Sequence, residues 1–144
     1  MSSSKTCPFC DKSQAFRFIV ESHTMRVVYP RNPVIPYHLL ITPKRHIKLL
    51  DDLRPNEETE LFELLKKITN KSKANLGSKY LGFNLLSNNG SETINQRIPH
   101  AHVHVFIRTK DDKDDPILAR HTSTSIEFSK TQLENLASIK SWFN

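Results

Sequence analysis

The nonapeptide His100-Ala101-His102-Val103-His104-Val105-Phe106-Ile107-Arg108 alternates imidazoles with apolar side chains. In an extended strand, successive side chains point to opposite faces. His100, His102 and His104 then line one face, and Ala101, Val103, Val105 and Ile107 the other. The apolar face packs on a core, so the imidazoles look onto water or onto a site. A solvated face would more naturally carry Lys, Glu and Thr, which favours a site over an accidental polar face. Aligned imidazoles can ligate metal, attack phosphorus or move protons near neutral pH.

A strand of this kind needs neighbours, and the flanking sequence supplies them. Residues 80–86 read as a strand, ended by the turn-forming Ser87-Asn88-Asn89-Gly90. Residues 16–21 and 24–29 are rich in β-branched and aromatic types, with Ser22 and His23 as the turn between them. Pro30, Pro33 and Pro36 impose an irregular connection to a strand at 38–42, closed by Pro43. Pro55, the early glutamates Glu57, Glu58 and Glu60, and Gly77 bound a helix over 55–76. Within it Leu61, Leu64, Leu65, Ile68 and Leu76 largely follow helical spacing. Residues 111–115 (Asp-Asp-Lys-Asp-Asp) read as a solvated loop, and a short helix over about 130–141 precedes Trp142 and Phe143. The fold class is α+β: a mainly antiparallel sheet, one long helix packed on it and a short C-terminal helix.

At 144 residues the chain fits a single domain, 1–144, able to bury its own core without disulfides. No apolar run approaches the roughly 20 residues of a membrane span, and Met1-Ser-Ser-Ser-Lys5 lacks a secretory signal. The expected location is the cytoplasm. A net charge of +6 favours anionic ligands weakly, because Lys66, Lys67, Lys71 and Lys73 fall on an exposed helix face. Cys7 and Cys10 form a C-x-x-C motif. In a reducing compartment that spacing suits a metal clip or a redox pair, with inert thiols as the plain alternative. A redox motif belongs between a strand and a helix, and this one precedes every regular element.

Four features ask for one explanation: Cys7-Pro8-Phe9-Cys10, His46 in Pro43-Lys44-Arg45-His46, the Asn-rich turn at 88–90, and the three histidines with Gln96 upstream. Together they resemble the histidine-triad (HIT) superfamily of nucleotidyl hydrolases and transferases. The resemblance runs from Cys7 to Arg108, which makes 7–108 the core of the domain and 109–144 a C-terminal extension. Arg31 to His38 is closer to the dinucleoside-polyphosphate (Fhit-like) branch. The C-x-x-C resembles zinc-containing bacterial-type members.

The resemblance implies residue roles. His102 is the expected nucleophile on the α-phosphorus, giving a nucleotidyl-histidine intermediate that water hydrolyses. It must be unprotonated, with its other ring nitrogen donating to a backbone carbonyl. His104 is placed to stabilise the non-bridging oxygens, and His38 supports the triad unless it is simply a satisfied strand histidine. Asn88 (or Asn89), Gln96, Arg97 and His104 are the candidate nucleotide and phosphate ligands. Plain turn chemistry is the alternative for the asparagines, and solvent for Arg97. Cys7, Cys10, His46 and His100 are the implied ligands of a structural zinc, a closed tetrahedral site. A homodimer is implied, as are a nucleotide substrate, no membrane partner and no nucleic acid. Phe9, Phe18 and Ile19 are candidates for the base pocket. His23 and His121 match nothing and read as surface residues.

The chain departs from the family pattern at Pro30, where relatives often place a ribose-binding Asp or Asn, at Asn95 in place of Gly, and at Arg97 in place of Ser or Thr. The expected activity is release of a nucleoside monophosphate, AMP by preference, from a dinucleoside polyphosphate, a phosphoramidate or an adenylated small molecule. Two other readings compete: a catalytic metal held by His100, His102 and His104, and a non-catalytic nucleotide-binding zinc adaptor on the same fold.

Overall fold

The computed structural model describes residues 7–116 and 128–144. Five antiparallel strands form one sheet: β1 (Phe18–Glu21), β2 (Met25–Val28), β3 (His38–Pro43), β4 (Tyr80–Leu86) and β5 (Val103–Thr109), in the order β1-β2-β3-β5-β4. Helix α1 (Pro55–Leu76) connects β3 to β4, and α2 (Lys130–Ser141) closes the chain.

Both helices carry their own stops. Pro55 occupies the first turn of α1, and the Arg54 N–H donates to Glu57 Oε1 at 2.8 Å. Gly77 takes φ 55° at the C-terminal end, a conformation that costs glycine little. In α2, Ser129 Oγ accepts from Gln132 N while Gln132 Oε1 accepts from Ser129 N, a reciprocal capping box.

Strand alternation divides the side chains between two faces. Met25, Val27, Leu39, Ile41, Val103, Val105 and Ile107 meet Leu61, Leu64, Leu65 and Ile68 of α1 and Leu136, Ile139 and Trp142 of α2 in the main core. Burying each large aliphatic side chain stabilises the fold by roughly 1.5–3 kcal/mol. A second cluster, Cys7, Phe9, Val28 and Leu40, gathers on the histidine side of the sheet. The N-terminal segment is thus a lid over part of the imidazole face.

Three sequence expectations shift. The strand expected at 100–107 begins its ladder only at Val103, because Ala101 N donates to Ile47 O and Thr42 Oγ1 donates to Ala101 O. Pro43, with no N–H, cannot extend the pairing there. Phe16 and Arg17, expected in the first strand, end a 3-10 turn (Lys12–Arg17) whose Arg17 side chain is buried. Asp112, expected in a solvated loop, turns inward: its carboxylate accepts from Arg108 Nε at 2.8 Å and from Thr109 N at 3.2 Å. Among the described residues no helix is long and apolar enough to cross a membrane.

Candidate active site and metal centre

The register sets the site. In β3–β5, His38 pairs with Phe106 and Leu40 with His104, so His38 and His104 rise from adjacent strands on one face. His38 Nδ1 accepts from Val34 N at 3.1 Å, and His38 Nε2 lies 2.9 Å from His104 Nδ1. A neutral imidazole that accepts at Nδ1 carries its proton at Nε2. His38 therefore donates to His104 Nδ1, which leaves the His104 proton on Nε2.

His102 stands beside them, 5.1 Å from His104 between ring centroids. Its Nδ1 lies 2.7 Å from His100 O. A carbonyl only accepts, so Nδ1 is protonated and Nε2 keeps the lone pair. Burial holds the His102 pKa below the ordinary imidazole range, against the opposing pull of that carbonyl. The site accordingly holds a neutral imidazole whose Nε2 keeps its lone pair, next to a ring N–H donor.

Several loop side chains bond to the protein itself. Gln96 is buried and both ends of its amide are engaged: Oε1 accepts from Gly90 N at 2.6 Å, and Nε2 donates to Lys48 O at 2.7 Å and Ile98 O at 3.3 Å. Asn89 Oδ1 accepts from Leu50 N, and its Nδ2 donates to Ser87 Oγ. Ser87 Oγ in turn donates to His102 O at 2.8 Å. These side chains form a scaffold beneath the histidines. Asn88 is half-buried with Nδ2 3.5 Å from Asn95 O, and Arg97 is exposed. Asn95 adopts φ 72°, the left-handed region that Asn tolerates better than other side chains.

Ser87, Thr42 and Val34 were not singled out by sequence. Thr42, a hydroxyl inside an apolar strand next to Pro43, offered a signal. Val34 acts through its backbone and offered none. His23 is exposed, and His121 lies outside the described residues.

Cys7, Cys10, His46 and His100 converge so that their ligand atoms all lie within 4.8 Å of one another. Cys7 Sγ is 3.4 Å and Cys10 Sγ 3.5 Å from His100 Nδ1. Cys10 Sγ is 3.2 Å and His100 Nδ1 3.1 Å from His46 Nδ1. A tetrahedral S2N2 zinc site has ligand–ligand edges of about 3.3–3.8 Å from its bond lengths, so the cluster is slightly tight but correctly shaped. His100 Nε2 donates to Pro43 O at 2.8 Å, which turns the Nδ1 lone pair inward as metal sites require. Burial drives the His100 pKa down to about 4, keeping the ligand neutral. Cys7 and His100 are buried while His46 is exposed, so the group can hold a metal ion with one flank toward solvent. All four donors come from protein, and the site so formed has no open position.

Phe9 and Phe18 belong to the histidine-side cluster, whereas Ile19 packs on the main core.

A family model of the HIT domain matches residues 12–111. An asymmetrical bis(5'-nucleosyl)-tetraphosphatase of Schizosaccharomyces pombe is 32% identical over 87 residues, 56% of this chain and 42% of that protein, so the match spans less than half of that relative. An uncharacterized HIT-like protein of Chlamydia trachomatis is 33% identical over 97 residues, 67% of this chain and 79% of that one. The crystal structure of a zinc-bound histidine triad family protein from Mycobacterium smegmatis superposes with a TM-score of 0.73 at 22% identity, covering 97% of this chain and 94% of the other. At that identity the likeness is one of fold. With the family model spanning most of the sequence, and the histidine row placed on one sheet face, the chain belongs to the HIT domain family.

Proposed function

We propose that this protein is a nucleotidyl hydrolase or transferase that releases AMP from a dinucleoside polyphosphate, a nucleoside phosphoramidate or an adenylated small molecule. The observation that carries the reading is the tautomer of His102: Nδ1–H is bonded to His100 O, and Nε2 is left as a lone pair in a buried, neutral ring. The tetraphosphatase similarity supports the substrate class.

In the first step Nε2 attacks the α-phosphorus. A P–N bond forms, the bond to the leaving group breaks, and its electron pair departs with the leaving group. Water then attacks the same phosphorus, the P–N bond breaks with its electron pair returning to Nε2, the water gives up a proton to solvent, AMP leaves and the imidazole is again neutral. His104 Nε2–H stabilises charge on a non-bridging oxygen, held in that tautomer by His38. Asn88, Arg97 and Gln96 remain the proposed phosphate ligands. Gln96 contributes through its grip on the loop, or by exchanging a backbone bond for the phosphate.

Zinc is the proposed metal at Cys7, Cys10, His46 and His100, where it would cross-link the N-terminus to the ends of β3 and β5. Those residues, rather than His100, His102 and His104 together, form the metal-ligating group among the described residues, which speaks against a catalytic metal. Two thiols as ligands favour a cytoplasmic location. A homodimer is proposed as well. Leu81, Phe83 and Leu85 of edge strand β4 and Phe62 of α1 are exposed, beside an apolar cleft of about 390 Å³ lined by Leu53, Leu61 and Val103.

The test is turnover of diadenosine tetraphosphate and of an AMP phosphoramidate by the wild type and by His102→Ala. The proposal expects AMP release by the wild type alone, with AMP affinity preserved in the variant. Binding without turnover by the wild type would favour the adaptor, a reading to which the engaged amides of Gln96 and Asn89 lend weight.

A further inference from the structure

The C-x-x-C loop is held by more than its thiols. Arg17, 1% exposed, donates from Nη2 to Pro8 O at 3.0 Å, from Nη1 to Tyr29 O at 2.8 Å, and from Nε to Gln14 Oε1 at 3.2 Å. Arg26 Nη1 donates to Phe9 O at 3.1 Å. Both carbonyls between the cysteines are thus tied to guanidinium groups. Cys10 N and Asp11 N donate to Cys7 O, which closes the turn. A charged guanidinium is buried at low cost only where its donors are used, so Arg17 acts as a fixed backbone clamp.

What the clamp presents is Phe9. Its ring is 1% exposed and meets His102 edge-on, 5.2 Å between centroids at 61°, and His100 at 5.5 Å and 84°. The His102 ring has two other contacts described above, the bond from Nδ1 to His100 O and the edge contact with the His104 ring, which is itself held by His38. A single hydrogen bond fixes where Nδ1 points and leaves the broad χ2 torsion of histidine to set the ring plane. A packed ring edge removes that freedom. Phe9 is also too enclosed to stack openly on a nucleobase.

We propose that Phe9 is a positioning residue for His102: the arginine-clamped loop presses its ring against the imidazole and so fixes the direction of Nε2. The proposal rests on His102 as nucleophile. In-line attack depends on a reacting nitrogen held within about 3–3.5 Å of phosphorus and aligned with it, and a freely tilting ring would populate that geometry less often. The clamp uses side chains that are not metal ligands.

The experiment compares Phe9→Ala, Phe9→Leu and Arg17→Lys in the metal-loaded full-length chain. Phe9→Ala is expected to retain its metal and to bind AMP within about twofold of wild type, while kcat falls by about tenfold. Phe9→Leu should restore most of the rate, since it refills the volume. A second readout does not need turnover: the His102 Nδ1–H resonance in 15N-edited NMR should be protected from solvent in wild type and Phe9→Leu, and exchange-broadened in Phe9→Ala. Should Phe9→Ala lose its metal or its fold, Arg17→Lys, which keeps the charge but breaks the fork, carries the same expectations. Unchanged kcat and resonance in a folded, metal-loaded variant would overturn the proposal. So would a defect confined to KM, which would place Phe9 in the base pocket. A wild type without turnover, but with a protected resonance lost in Phe9→Ala, would fail the catalytic reading while keeping the positioning contact.

Discussion

His38 Nε2 donates to His104 Nδ1 across 2.9 Å between adjacent strands, and the backbone N–H of Val34 fixes which nitrogen of His38 is free to do so. One main-chain donor between Pro33 and Ile35 thereby determines the proton position of a histidine in β5.

This relationship makes His38 testable. His38→Ala should leave His104 free to exchange tautomers and lower kcat by about a hundredfold, within the range of a lost proton-positioning group. AMP affinity should change little, because His38 is buried behind His104. Steady-state kinetics with a separate AMP titration check it. A loss seen only in KM would contradict the tautomer argument.

Metal removal should act on stability first. Elemental analysis is expected to find one zinc per chain, and Cys7→Ser should release it and lower the melting temperature by about 5–10 °C. The exposed flank at His46 predicts that a strong chelator strips the metal slowly from folded protein rather than only after unfolding. A metal-free preparation with a melting temperature indifferent to added zinc would contradict the four-ligand site.

Acid stability should depend on Glu60. Hydrogen bonds from the hydroxyls of Ser22 and Thr24 and from the Thr24 N–H hold its pKa down, from 4.5 to about 2. A folded-state pKa below the unfolded one means the contribution is complete above about 4.5 and is lost as pH falls toward about 2. Glu60→Gln should therefore flatten the stability curve across that window, where wild type declines. Denaturant melts between pH 2 and 6 measure it, and parallel curves would refute the assignment.

Assembly should depend on the exposed apolar side chains of β4 and α1. Sedimentation at micromolar concentration is expected to give a dimer for wild type and a monomer for the Phe62→Glu, Leu85→Glu double variant, with the metal retained. A wild-type monomer would remove the homodimer from the account.

Much of this architecture was readable in the sequence, because strand alternation and helix stops are local signals. Pro55 and Gly77 bracket α1, and the triad's odd positions carry the core. The Cys/His cluster that could hold a metal was readable through spacing and family resemblance. What escaped were interactions made by backbone groups or by side chains facing inward. The proton of Val34 leaves no mark on residue type. Gln96 reads the same whether it binds phosphate or the carbonyl of Lys48. The inward turn of Arg17 depends on carbonyls at Pro8 and Tyr29, which come together only in the folded chain.

The central claim is that His102 Nε2 becomes covalently bonded to phosphorus. Brief reaction with diadenosine tetraphosphate labelled at the α-phosphorus, quenched and digested, measures it most directly. The account predicts acid-labile, base-stable label on the peptide containing His102, released as AMP on standing and absent from His102→Ala. Turnover of the same substrate with no label on the wild-type chain at any quench time, or label persisting in His102→Ala, would contradict it.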